Sequence, residues 1–184
     1  MVDKFDYLYG GGHQNGPSKD KNNPEIIGFD CNRLVMFLID KISDYQFNFS
    51  ISSDALYQEA VNNNYLKSIE KRKIGDVIFY KNITTGIVFH SGVLISDTQK
   101  IHVGQTGQKI KKSVAIYQQF DVEILVADFI NINKEKTTEE PYVQGFTGTE
   151  VDTSSEAKEI KDIDGFSEQI KINLFVLLGF ILFF

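Results

Sequence analysis

The sequence predicts an α+β fold, in which two helices are followed by short strands that form an antiparallel sheet packed against the first helix. Three observations carry that expectation. Leu34, Val35, Leu38 and Ile42 recur at helical offsets and make one apolar face. From Ile74 onward the pattern changes to short β-rich runs separated by Gly, Asp and Lys clusters. Helices early and strands late, in 184 residues of which 42% are apolar, suit one domain with its own core plus a tail.

Taken in order, Met1 to Tyr9 is short and polar and lacks the basic and apolar regions of a signal peptide. Gly10-Gly11-Gly12 permits close backbone approach, but no Lys-Ser/Thr follows, so a phosphate cradle is not expected. His13 to Ile27 reads as a loop. Gly28 permits a turn, and Asp30 is placed to cap a helix whose first turn holds Cys31. Ser53 or Asp54 caps a second helix that ends near Asn62. Lys71-Arg72-Lys73 reads as a solvated face. Strands are expected over Asp76 to Tyr80, Val88 to Ser96, Lys100 to Gln105, Val114 to Gln118 and Val122 to Phe129, with a turn at Ile83 to Gly86.

Charge divides the chain. The net charge is −6, which argues against a general nucleic-acid binder. Lys134 to Lys171 contains ten acidic residues against five lysines, so the acidity belongs to the later part. Residues 1–131 are therefore read as the folded domain, 132–171 as an acidic polar linker that cannot bury enough to order itself, and 172–184 as a hydrophobic tail. A single cysteine excludes an internal disulfide, and no cluster supplies the four ligands of a structural zinc site. No metal or cofactor is expected.

The residues that could carry chemistry are few. Cys31 sits where unpaired N–H groups and the positive end of a helix dipole favour a thiolate, although a lone cysteine before an apolar helix is also ordinary packing. A cysteine nucleophile needs a base and a group that orients the base. Of the three histidines, His13 lies in the Gly-rich loop, whereas His90 and His102 flank a hairpin centred on Asp97-Thr98 and should face one another. Ser91 and Gly92 leave room beside the His90 ring.

The order and spacing of these elements resemble the NlpC/P60 cysteine peptidases, a branch of the papain-like fold. The resemblance rests on Tyr7-Leu8-Tyr9-Gly10-Gly11, Phe29-Asp30-Cys31, Ile74-Gly75-Asp76-Val77-Ile78-Phe79, His90-Ser91-Gly92-Val93 and Ile101-His102. It implies that Cys31 is the nucleophile, His90 the general base, His102 the group that orients the imidazole, and Tyr7 a phenol near the oxyanion site. It also implies a cysteine-type endopeptidase acting on amide bonds of bacterial peptidoglycan stem peptides. Two departures stand out. Asn32-Arg33 replaces the family's Ser-Gly, placing bulk and charge beside the nucleophile, and only six residues precede Tyr7, where the family commonly has a helix.

Two other readings compete: a lipid-linked acyltransferase using the same Cys/His pair, and an inactive binding module closed by Asn32-Arg33. Leu174 to Phe184 is an eleven-residue apolar run, shorter than the roughly 17–25 residues that span a bilayer. A short membrane anchor, a GPI-attachment signal and a segment folded back on the domain are the three readings of it. Membrane association is the expectation, because apolar surface of that extent is unfavourable in water. Expression with and without residues 172–184 checks this by fractionation. The longer form should enrich in membranes, and equal solubility of both monomeric forms would contradict the anchor.

Overall fold

The computed structural model describes residues 1–117 and 119–130. The linker and tail expectations for 132–184 lie outside the described residues. Three very short strands come first: β1 (Asp6–Tyr7), β2 (Ser18–Lys19) and β3 (Ile27–Phe29). Helices α1 (Cys31–Asp40) and α2 (Ser53–Asn62) follow. The remaining strands are β4 (Leu66–Lys67), β5 (Val77–Asn82), β6 (Val88–Leu94), β7 (Gln99–His102), β8 (Lys111–Val114) and β9 (Val122–Ala127). The α+β expectation holds.

The six later strands form one sheet in the order β4-β9-β5-β6-β7-β8, with every neighbouring pair antiparallel. Alternation along β5 divides its side chains between two apolar cores. Val77 and Phe79 join α1 and α2 in the larger core, whereas Ile78 and Tyr80 join Leu94, Ala115 and Val126 in a smaller one on the other side. Helix α1 supplies Leu34, Val35, Met36, Leu38 and Ile39, all buried, and it packs on β6. Asp30 caps it as expected, its carboxylate accepting the Arg33 N–H at 2.7 Å. The cap of α2 is Ser52, one residue before the expected Ser53.

The first three strands form a small sheet in which β1 runs parallel to β3 and β2 antiparallel to it. Tyr7 is thereby paired with Phe29, two residues before Cys31. Gly28 makes the pairing possible, because a Cβ there would overlap the Asp6 carbonyl oxygen. The same N-terminal segment bonds along 108–110, where the Tyr7 N–H donates to the Gln108 carbonyl at 2.7 Å. The two sheets are joined through this contact.

Two expectations are corrected. The strand expected over Val114 to Gln118 lies earlier, at Lys111–Val114, and Ala115 leaves the sheet, its carbonyl accepting the Tyr80 hydroxyl proton. In Lys71-Arg72-Lys73, Lys71 is exposed as expected, whereas Arg72 and Lys73 are braces. Arg72 donates to the carbonyls of Asp97 and Ile69, and Lys73 pairs with Asp128 at 2.7 Å.

Asp76 opens β5 fully buried, with Lys67 Nζ at 2.6 Å on one oxygen and no hydrogen-bond partner on the other. Burial pushes its carboxyl up to about 6 in spite of Lys67. The folded state therefore holds this proton more tightly than the unfolded chain, whose carboxyl titrates near about 3.9. Between those values Asp76 makes stability fall as pH rises. Asp76→Asn should remove that component, so urea unfolding of both proteins should show the wild type losing ground to the variant from about pH 4 to about pH 6. A difference independent of pH would contradict it.

Candidate active site

Cys31 is the first residue of α1 and half-buried. Its sulfur lies 3.7 Å from the Ser53 hydroxyl at the start of α2, and Ser53 in turn lies 3.4 Å from the Ser91 hydroxyl on β6. The backbone N–H groups of Ser91 and Asn32 are near enough to favour a charged sulfur. Ser91 follows His90 directly, so the strand that carries the imidazole is linked to the thiol through the Ser53 hydroxyl.

His90 stands just after a bulge. Tyr80 pairs with His90 but Lys81 pairs with Val88, leaving Phe89 as the extra residue. The imidazole stacks on Tyr80, with ring centres 5.6 Å apart and planes 30° apart. Its Nε2 lies 2.8 Å from His102 Nδ1, so the hairpin brings the two rings together as expected. His102 Nε2 then lies 2.9 Å from the Ser113 hydroxyl on β8. Gly92 leaves the space for this, since a Cβ there would come 3.3 Å from His102 Cβ and 3.0 Å from the Ile101 carbonyl oxygen.

Tyr7 belongs to the same neighbourhood. Burial raises its hydroxyl pKa first, and negative charge on Cys31 or Asp30 raises it further. It stays a proton donor. His13 stands apart in an exposed turn, where Nδ1 accepts the Asn15 N–H at 3.1 Å. The structure thus groups Cys31 with Ser53 and Ser91, and His90 with His102. It draws no hydrogen bond from the thiol to the imidazole.

Electrostatics correct one expectation. Burial pushes the Cys31 thiol up, overriding the Ser53 hydroxyl and the two backbone N–H groups that favour a thiolate. Burial likewise holds both imidazoles well below their usual range, assisted for each by the Lys100 and Lys111 cations. Burial thus favours the uncharged form of the thiol and of both imidazoles.

The Asn32-Arg33 departure is also resolved. Asn32 is buried and its Nδ2 donates to the Ile51 carbonyl at 2.9 Å. Arg33 Nε donates to the Phe49 carbonyl at 2.9 Å, while its other nitrogen pairs with Asp30. Both side chains staple the 49–51 segment to α1, and the bulk and charge expected beside the thiol are spent there. Sequence reasoning missed Ser53 and Ser113 as neighbours of the site. Ser53 read as a cap, and Ser113 lies in a strand without apolar alternation. Among the described residues no group of three or more His, Cys, Asp or Glu side chains is arranged to hold a metal.

A cysteine at a helix start, set against an antiparallel sheet that carries two histidines in contact, is the arrangement of this α+β domain. The NlpC/P60 family model matches residues 4–137, and the chain belongs to the NlpC/P60 family. No curated protein matches the sequence. Among solved structures, the Resuscitation Promoting Factor Interacting protein RipA mutated at a histidine matches with a TM-score of 0.53 at 20% identity, over 71% of this chain and 57% of that one. A form of RipA mutated at a cysteine matches with a TM-score of 0.51 at 20% identity, over 69% and 56%. The peptidoglycan hydrolase RipB from Mycobacterium tuberculosis is 22% identical over 69% and 58%, with a TM-score of 0.46. The chain spans a little over half the length of these structures. RipA supports the fold and nothing finer.

The preference of the thiol for its uncharged form has a direct chemical consequence. Iodoacetamide labelling of Cys31 should be slow near neutral pH and climb roughly tenfold per pH unit until the raised thiol pKa is reached. A labelling rate already flat between about pH 6 and about pH 8 would show a preformed thiolate–imidazolium pair and contradict this.

Proposed function

We propose that this chain is a cysteine-type hydrolase that cleaves amide bonds in bacterial peptidoglycan stem peptides through a thioester on Cys31. Family membership supports the hydrolase class and the wall substrate. The observation that supports the mechanism is the contact of the Cys31 sulfur with Ser53, which reaches Ser91, while the residue before Ser91, His90, lies in contact with His102.

With Nε2 of His90 engaged by His102, Nδ1 is the nitrogen available to take the thiol proton. The sulfur attacks the scissile carbonyl carbon as that proton moves to His90. Donors around Cys31, including the Tyr7 hydroxyl, stabilise the developing oxyanion. The imidazolium returns the proton to the departing amine, leaving the acyl group on sulfur. Water, deprotonated by the same imidazole, then releases the acid and restores the thiol. Burial favours the uncharged form of both groups, which supports a proton transfer that accompanies attack. In this mechanism the direct thiol–imidazole hydrogen bond tightens when substrate binds.

The inactive-module reading loses its motive, because Asn32 and Arg33 are engaged by the 49–51 backbone. An acyltransferase would share the first half of this sequence and differ in giving the thioester to an acceptor other than water. Membrane association through residues 172–184 belongs to the proposal and is supported by their composition. No helix among the described residues is long and apolar enough to cross a membrane.

Hydrolysis of purified wall peptides tests the assignment. Cys31→Ala and Cys31→Ser should each lose roughly a thousandfold or more in kcat with the circular dichroism spectrum unchanged. His90→Ala should be nearly as damaging, and His102→Gln milder than His102→Ala, since an amide can still hold the imidazole. Wild-type turnover in Cys31→Ala would refute the proposal.

A further inference from the structure

The hydrogen-bond chain through the two imidazoles does not end at His102. Ser113 on β8 is the cross-strand partner of Lys100, and its hydroxyl lies 2.9 Å from His102 Nε2. Each ring nitrogen in this chain carries either a proton or a lone pair, so the chain has a direction. In one direction His90 Nε2–H donates to His102 Nδ1, and His102 Nε2–H donates to Ser113 Oγ. In the other, Ser113 donates to His102, His102 Nδ1–H donates to His90 Nε2, and the proton of His90 sits on Nδ1. Only the first leaves a lone pair on His90 Nδ1 to accept a proton from the thiol.

We infer that Ser113 is a positioning residue that terminates the chain as an acceptor and thereby holds both histidines in the tautomer with the proton on Nε2. The surroundings favour this direction. The Ser113 proton has an outlet in the Val114 carbonyl, at 3.5 Å, or in water, because Ser113 is half-exposed. His90 is kept from turning over by the contact of its Nε2 with His102 Nδ1, which a turned ring would lose. Lys100 holds the end of β8 in place, with Nζ 2.9 Å from the Val114 carbonyl and 4.5 Å from the centre of the Tyr80 ring. The one backbone clamp therefore fixes both the terminal acceptor and the ring on which the base rests.

The catalytic consequence rests on the hydrolase reading, but the tautomers do not, and the test separates them. The full chain with nitrogen-labelled histidine is observed by long-range proton–nitrogen NMR near neutral pH, alongside kcat and KM on wall peptides. The wild type should show His90 and His102 both protonated on Nε2. Ser113→Ala should mix the tautomers of both rings and lower kcat by roughly three- to tenfold, the scale of one neutral hydrogen bond, with KM little changed. Ser113→Thr should restore the wild-type tautomers and rate. A wild-type His90 protonated on Nδ1, tautomers unmoved in Ser113→Ala, or Ser113→Thr behaving like Ser113→Ala would each overturn the inference. Unchanged turnover in Cys31→Ala together with the expected tautomers would sink the hydrolase reading and leave this one standing.

Discussion

The site depends on the packing of α1 against β6. Leu34, Val35 and Leu38 are removed from water on one side of that contact, and Val93 on the other. Burial of such side chains contributes about 1.5–3 kcal/mol each, so the contact is among the firmer ones in the domain. It delivers Cys31, at the helix start, to Ser53 and through it to Ser91, on the strand that carries His90. The bulge at Phe89 lets His90 stack on Tyr80 while Ser91 keeps its register with Phe79. Neither helix nor strand alone would make a site.

The same burial that positions the thiol makes it a poor thiolate. A helix N-terminus contributes a modest favourable field, and desolvation at Cys31 outweighs it. Around the imidazoles the balance runs the same way, because Lys100 is buried without a carboxylate among the described residues and is itself pushed down to about 8. Lys100 Nζ lies 4.5 and 5.2 Å from the centres of the mutually stacked Tyr80 and Tyr117 rings, whose electrons partly replace its lost hydration. Under the proposed mechanism, such an arrangement would keep the thiol uncharged until a substrate carbonyl arrives to receive the charge.

Much of this was legible because the chemistry is local. Asp30 announces the helix start, the apolar spacing announces its buried face, and a twelve-position separation of His90 and His102 around a turn announces a hairpin. What was not legible is set by partners distant in sequence. Two- and three-residue strands such as Asp6–Tyr7 and Ile27–Phe29 carry no periodicity and exist because each pairs with another segment. Lys111–Val114 looks unlike a strand, yet the exposed edge of the sheet tolerates its lysines, whereas the apolar run after it is drawn off to pack on Tyr80. The directions of Asn32 and Arg33 were invisible for the same reason, since the Ile51 and Phe49 carbonyls they satisfy lie sixteen or more residues away.

The central claim is that acyl transfer passes through the Cys31 sulfur at a site assembled by α1 and β6. Intact-protein mass spectrometry after rapid acid quench, during turnover of a purified wall peptide, addresses it most directly. The account predicts a wild-type adduct of the acyl fragment's mass, mapped to the peptide containing Cys31, that decays as product appears. Product formed at full rate with no adduct on Cys31, and the same rate from Cys31→Ala, would contradict it.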